Sequence, residues 1–133
     1  MITLMIVDDQ VNARDGLRLR LSLEKDIQIV SEAVDGLEAI SMAEKLQPQV
    51  VIMDVTMPGM DGIEAAKLIR ERAPGTAVIL TTMYNTAAVQ IQAESVGAAA
   101  FVPKESNPQA LLDAIRRAVD SKKLNKICKQ QGD

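Results

Sequence analysis

Five short apolar runs alternate along the chain with longer amphipathic stretches. The runs are continuous and rich in Val and Ile, as expected of strands buried on both faces of a parallel sheet. We predict these strands at residues 3–7, 27–33, 50–53, 77–80 and 98–102. The longer stretches between them have the length and spacing of helices that cover such a sheet.

Three of the intervening stretches begin with residues that cap helices. Asp35 and Asp61 are each followed three positions later by a glutamate, which is the pattern of a capping box. Asn107 is followed by Pro108, so a capping side chain precedes proline at the first helical position. These signals predict the starts of the second, third and fifth helices.

Two stretches are less regular. Leucine occupies every second position from 17 to 23, which alone favours a strand, but the length of this stretch and its place between two buried strands favour a helix. Residues 85–96 show little amphipathicity and are predicted as the fourth helix. Five strand–helix repeats predict an α/β fold, a flavodoxin-like doubly wound five-stranded parallel sheet of order 2-1-3-4-5 with five helices.

Composition and charge limit the function. The chain of 133 residues fits one domain. Residues 1–120 carry 11 basic and 17 acidic side chains, whereas residues 121–133 have a net charge of +3. We therefore expect a domain at 1–120 and a C-terminal tail or the start of a linker at 121–133. The acidic domain disfavours direct nucleic-acid binding, because such binding depends on neutralising phosphates.

The residue types that are rare or absent are also informative. The chain has no histidine, which excludes mechanisms that use an imidazole on this chain. Its single cysteine, Cys128, cannot form an internal disulfide and indicates a reducing compartment. No apolar run is long enough to cross a bilayer. We therefore expect a cytoplasmic protein that does not contact a membrane.

Polar residues of particular types follow four of the predicted strands. Asp8 and Asp9 follow the first, Asp54 the third, Thr82 the fourth and Lys104 the fifth. In an open α/β sheet, ligands bind outside the carboxyl ends of the strands, where strand order reverses. Three carboxylates brought together there repel one another unless a cation joins them, and oxygen ligands suit Mg²⁺. The pattern predicts a magnesium site at which a phosphoryl group is positioned and neutralised.

Four blocks make the chain resemble the receiver domain of bacterial two-component response regulators over residues 1–120. They are VDDQ at 7–10, MDVTMPGMDG at 53–62, LTTM at 80–83 and FVPK at 101–104. Together with Tyr84 and Glu105, they are most similar to the subfamily that carries a C-terminal helix-turn-helix DNA-binding domain. Many receivers have proline where Glu105 follows the lysine, so the resemblance does not extend to a cis peptide bond there.

The resemblance implies a role for each residue around the metal. Asp54 is expected to be the phosphoacceptor and a metal ligand. Asp9 is expected to bind Mg²⁺ directly, and Asp8 through water or by its nearby charge. The backbone carbonyl of Thr56 completes the protein ligands, and Lys104 is expected to bind the phosphoryl group.

The resemblance also implies a conformational switch. Thr82 is expected to supply the switch hydroxyl, and Phe101 occupies the position of the switch aromatic residue. Tyr84 and Met83 are expected to cover the mouth of the site. Because neither Tyr84 nor Thr56 carries a carboxylate or amide that could hold the attacking water, we expect slow loss of the phosphoryl group.

The implied function is a signalling switch rather than an enzyme, apart from self-phosphorylation and autodephosphorylation. A sensor histidine kinase or a phosphotransfer protein is the expected donor. The switch would pass its change to an output domain C-terminal to this chain, in a transcriptional regulator that contacts DNA only through that domain. Homodimerisation on activation is compatible with this. The alternative is a stand-alone receiver that acts by protein–protein interaction or phosphorelay.

Two other classes share parts of the pattern. Haloacid-dehalogenase-type phosphatases also use an aspartyl-phosphate, but they need Asp-x-Asp after the first strand, where this chain has adjacent Asp8 and Asp9. A flavin-binding module of the same topology needs a phosphate-binding loop of Thr, Ser and Gly there. The two aspartates would repel that phosphate.

Overall fold

A computed structural model of the chain describes the backbone of residues 1–132 and the side chains of residues 1–122. Five strands and five helices alternate along this part of the chain. The strands are β1 (Ile2–Val7), β2 (Ile27–Ala33), β3 (Val50–Asp54), β4 (Ala77–Thr82) and β5 (Ala100–Pro103). The helices are α1 (Val11–Leu21), α2 (Gly36–Leu46), α3 (Gly62–Arg72), α4 (Ala87–Ser95) and α5 (Pro108–Gly132).

The strands form one parallel sheet in the order β2-β1-β3-β4-β5. All residues of β3 and β4 are buried, because helices cover both faces of these inner strands. This arrangement confirms the predicted fold class and strand order.

Strand alternation divides the apolar core into two clusters. On β3, Val51 and Met53 belong to the first core cluster, which packs against α2, α3 and α4. Val50 and Ile52 belong to the second core cluster, which packs against α1 and α5. Because successive side chains of a strand point to opposite faces, each inner strand contributes to both clusters.

The predicted helix caps are present. Asp35 accepts a hydrogen bond from the Glu38 amide at 2.8 Å, and Asp61 accepts one from the Glu64 amide at 2.9 Å. Asn107 caps α5 through the Ala110 amide at 2.9 Å. Each side chain satisfies an amide that has no partner within the helix.

The start of the fifth strand was predicted two residues too early. Gly97 adopts φ +78°, and the Ala98 amide bonds the Ala93 carbonyl at 3.1 Å, as in a helix C-terminal turn. Residue 98 therefore completes the end of α4, and β5 begins at Ala100. Apolar character alone does not separate the two, since residues 98–100 are all alanines.

The first helix forms as predicted despite its alternating leucines. Residues 17 and 21 are four apart and face the second core cluster, whereas Leu19 and Leu23 are exposed. Leu17 and Leu21 are thus a pair at helical spacing on the inner face of α1, Leu19 lies on its outer face, and Leu23 follows the end of the helix.

The last helix, α5, continues to Gly132 through the segment predicted as a tail or linker. The division at residue 120 remains a prediction, and the side chain of Cys128 lies outside the described side chains. Within the described part of the chain, no helix combines the length and apolar character needed to cross a membrane.

Candidate metal and phosphoryl-transfer site

Three aspartates meet at the carboxyl edge of the sheet. Asp8 and Asp9 directly follow β1, and Asp54 is the last residue of the neighbouring β3. One carboxylate oxygen from each lies within 4.8 Å of the others. Asp8 and Asp54 are 6% and 8% exposed, while Asp9 is open to solvent. The sequence prediction that these carboxylates converge is confirmed.

Lys104 joins two of these carboxylates. Its Nζ donates to Asp8 Oδ2 at 2.8 Å and to Asp54 Oδ2 at 3.0 Å. The Lys104 backbone amide bonds the Thr82 carbonyl at 2.9 Å, which fixes the lysine beside the end of β4. The ammonium thus holds two carboxylates that would otherwise repel each other.

The pKa values reflect the partial desolvation of this site. Burial raises the pKa of the Asp54 carboxyl, although the hydrogen bond and charge of Lys104 offset part of the rise. Burial also disfavours the charged form of Lys104, but its hydrogen bonds to Asp8 and Asp54 prevail, and the pKa of Lys104 lies above its usual value. With all groups ionised, three carboxylates face one ammonium, and a divalent cation balances the remaining charge.

The donor set fits Mg²⁺. A hard cation that prefers octahedral oxygen coordination takes carboxylates and keeps some of its waters. Asp9 provides a carboxylate with no hydrogen-bond partner among the described residues, whereas both oxygens of Asp8 are bonded, Oδ1 to the Gln10 amide at 3.0 Å and Oδ2 to Lys104. Asp9 is therefore the more available ligand, and Asp8 the more fixed one.

The loop after β3 orients the Asp54 side chain. Asp54 Oδ1 accepts a hydrogen bond from the Thr56 amide at 3.1 Å, so both carboxylate oxygens have a donor. The start of α3 packs so closely on this turn that a Cβ at Gly62 would overlap the Asp54 carbonyl. Glycine at this position permits that close approach. The carbonyl of Thr56 remains a predicted metal ligand.

Thr82 and Phe101 lie on the face of the sheet that carries α4. Thr82 is fully buried at the end of β4, and its hydroxyl accepts a hydrogen bond from the Tyr84 amide at 3.0 Å. Phe101 pairs in register with Leu80, two residues before Thr82, and packs on the first core cluster. Residues two apart on a strand share a face, so the hydroxyl and the aromatic ring lie on the same side of the sheet.

Met83 and Tyr84 lie largely in solvent, with 63% and 67% of each residue exposed. Both residues directly follow the buried Thr82 in the sequence, which places their backbone near the site. Whether their side chains cover the phosphoryl group remains a prediction. The peptide bond between Lys104 and Glu105 is trans, as are all peptide bonds in the described part of the chain.

Arg14 supports the site and was missed by the sequence reasoning. Its Nη1 donates to the Asp8 carbonyl at 2.6 Å, and its Nε lies 3.5 Å from Glu32. It thereby connects the acidic turn after β1 to the edge strand β2. The sequence could have indicated this contact, because Arg14 falls in the first turn of the helix that follows Asp8 and Asp9.

Comparison with known proteins agrees with this geometry. The family described as response regulator receiver domain matches residues 4–116. The transcriptional regulatory protein YxjL of Bacillus subtilis is 36% identical over 117 residues, covering 88% of this chain and 54% of that protein. The nitrate/nitrite response regulator NarL of Escherichia coli K12 is 31% identical over 116 residues, covering 87% of this chain and 54% of that protein.

Solved structures have the same fold. A LuxR-family response regulator from Aurantimonas sp. SI85-9A1 has a TM-score of 0.86 at 33% identity, covering 90% of this chain and 85% of that one. The response regulator domain of Thermotoga maritima CheB has a TM-score of 0.83 at 35% identity, covering 90% of this chain and 97% of that one. The chain spans about half the length of the curated relatives it matches. It belongs to the response regulator receiver family, whose members among these relatives include transcriptional regulators.

Proposed function

We propose that this domain is a phosphorylation-activated switch that accepts a phosphoryl group on Asp54 in a magnesium-dependent reaction. The observation that carries this proposal is the convergence of three aspartates within 4.8 Å beside a lysine bonded to two of them. That arrangement supplies a carboxylate nucleophile, a cation site and a fixed ammonium at one point. Membership of the receiver family supports it further.

In the proposed reaction, an Asp54 carboxylate oxygen attacks the phosphorus of the donor. The new oxygen–phosphorus bond forms as the bond between phosphorus and the donor's leaving atom breaks, and no proton has to leave the carboxylate. Mg²⁺, when bound by Asp8, Asp9 and Asp54, supplies positive charge that offsets the repulsion between carboxylates and phosphoryl oxygens. Lys104 can then exchange its contact with Asp54 Oδ2 for a phosphoryl oxygen.

The proposed relay runs through Thr82. In the structure, the Thr82 hydroxyl accepts a hydrogen bond from the Tyr84 amide at 3.0 Å. In the proposed relay it would give up this bond and donate to a phosphoryl oxygen. Because Phe101 lies on the same side of the sheet, this movement would vacate space that the ring can enter. A bond formed locally is thereby coupled to the surface of α4, β5 and α5.

The proposed donor is a sensor histidine kinase or a phosphotransfer protein. The output is proposed to be a DNA-binding domain C-terminal to this chain, in a cytoplasmic transcriptional regulator that dimerises on activation. The support is that the chain matches about half the length of relatives that are named transcriptional regulatory proteins. The alternative, a stand-alone receiver, would act through the same site on a separate partner.

The test is a titration with beryllofluoride, a phosphoryl mimic, followed by amide NMR. We expect shifts around Asp54, Thr82 and Phe101 that require Mg²⁺ and disappear in Asp54→Asn. Shifts of equal size in the Asp54→Asn variant would contradict the assignment of the phosphoacceptor.

A further inference from the structure

A second concave site lies at the opposite end of the sheet from Asp54. It is a groove of about 490 Å³ between α3, the starts of β4 and β5, and α5. Its floor consists largely of alanines, including Ala77, Ala99 and Ala114. A volume in this range is typical of sites for small molecules. The groove shares no lining residue with the aspartate site.

Of the side chains that the structure describes, three cations and no carboxylate line this groove. Arg70 comes from α3, and Arg117 and Lys122 come from α5. Within the described residues, the side chains of Arg70 and Arg117 make no hydrogen bond or ion pair, whereas those of Arg18 and Arg116 each pair with two carboxylates. The Lys122 ammonium donates to the Pro74 carbonyl at 2.6 Å at the groove's edge. The donors of the two arginines are therefore available to a ligand.

The fold positions one of these cations. Gly97, in the turn between α4 and β5, has φ +78°, and a Cβ there would overlap the Arg70 guanidinium. The guanidinium therefore lies against the turn, inside the groove. Any residue other than glycine would strain the turn and displace Arg70. Ser121 also lines the groove and adds a neutral hydroxyl, whereas the Thr76 hydroxyl donates to the Pro48 carbonyl at 2.7 Å.

We propose that this groove is a binding site for a small organic phosphate, such as a nucleoside monophosphate. Two guanidiniums without a partner among the described side chains suit the geometry of a phosphate dianion, since arginine donates two parallel hydrogen bonds to it. The alanine floor suits the apolar part of the ligand. A nucleic-acid backbone is disfavoured, because the surrounding domain of residues 1–120 carries 11 basic and 17 acidic side chains.

The probe is AMP, titrated in EDTA against the full chain carrying Asp54→Asn, so that neither metal nor the acceptor aspartate contributes. Binding is measured by calorimetry, and the site is located by amide NMR. We expect shifts at Gly97, Ala98 and Ala99. Arg70→Gln and Arg117→Gln should each weaken AMP binding about tenfold.

Two variants serve as controls. Arg72→Gln makes the same change in charge on α3 at a residue that does not line the groove, and it should leave the affinity unchanged. Ala99→Leu fills the groove without changing its charge and should reduce AMP binding. Ala99 is exposed, so the larger side chain does not have to enter the core.

Three results would overturn the proposal. An equal loss in Arg72→Gln would show that AMP responds only to net charge. If inorganic phosphate bound as tightly as AMP, the organic part of the ligand would contribute nothing to binding. A short DNA duplex binding more tightly than AMP, with the same dependence on Arg70, would identify a nucleic-acid surface instead. Phosphorylation at Asp54 is tested separately, and its failure would not affect these measurements.

Discussion

Replacing Lys104 with methionine should destabilise the domain without metal and strengthen its binding of Mg²⁺. Methionine keeps an apolar chain of similar length but removes the ammonium that bonds Asp8 at 2.8 Å and Asp54 at 3.0 Å. Those two side chains are only 8% and 11% exposed, so their carboxylates would be left facing each other with little solvent.

The size of the loss follows from burial. Removing one partner of a fully buried ion pair costs about 3–5 kcal/mol of unfolding free energy. Because the Lys104 side chain is 25% exposed, solvent screens part of its charge, and we expect a loss of about 2 kcal/mol. For a domain of this size, that lowers the melting temperature by about 8 °C.

Mg²⁺ should reverse much of this loss. The ammonium and a bound Mg²⁺ would both draw on the carboxylates of Asp8 and Asp54, so removing the ammonium should tighten Mg²⁺ binding, by about tenfold if the relief is worth about 1.4 kcal/mol. The melting deficit measured in EDTA should therefore shrink by at least half in saturating Mg²⁺.

The assay is thermal unfolding in EDTA and in Mg²⁺, together with a calorimetric titration of the metal. Lys67→Met, at an exposed lysine on α3, is the matched control and should respond to Mg²⁺ as the unmodified chain does. A deficit of the same size in both conditions, or weaker Mg²⁺ binding in Lys104→Met, would refute the idea that lysine and metal share these carboxylates.

Three further predictions test the site through five variants. Asp9→Ala should weaken Mg²⁺ binding in calorimetry more than Asp8→Ala does, because both Asp8 oxygens already have protein donors; the reverse order would contradict the ligand ranking. Thr82→Ala should still accept a phosphoryl group by mass but give smaller NMR shifts at α4 and β5, and shifts equal to those of the unmodified chain would remove Thr82 from the switch. Tyr84→Glu and Thr56→Asn should each speed loss of the phosphoryl group about tenfold by holding the attacking water, and unchanged or slower rates would assign Tyr84 to an interaction surface instead.

Much of the fold could be predicted because the pattern along the chain has direct physical causes. Strands buried on both faces need continuous apolar runs, and capping side chains satisfy amides at helix starts. The start of β5 was predicted two residues too early because residue 98 is apolar in both interpretations, and only the positive φ of Gly97 separates helix end from strand. That backbone geometry leaves no trace in hydrophobic patterning.

The site was predictable for a different reason. Asp8 and Asp54 follow the adjacent strands β1 and β3, so their convergence could be predicted from strand order. Lys104 follows β5, beyond β4, and reaches both carboxylates through its long side chain. What could not be predicted is which oxygen each donor takes, and that Arg14 bonds the Asp8 carbonyl. Those contacts depend on side-chain rotamers and on how α1 packs on the sheet.

The most direct test of the account is the intact mass of the full chain after incubation with acetyl phosphate, with Mg²⁺ and in EDTA. We expect one added phosphoryl group, about 80 Da, in Mg²⁺, none in EDTA, and none in Asp54→Asn under either condition, since the proposed reaction needs both the carboxylate and the cation. A phosphorylated species in the Asp54→Asn variant, or one that forms equally well in EDTA, would contradict the central claim.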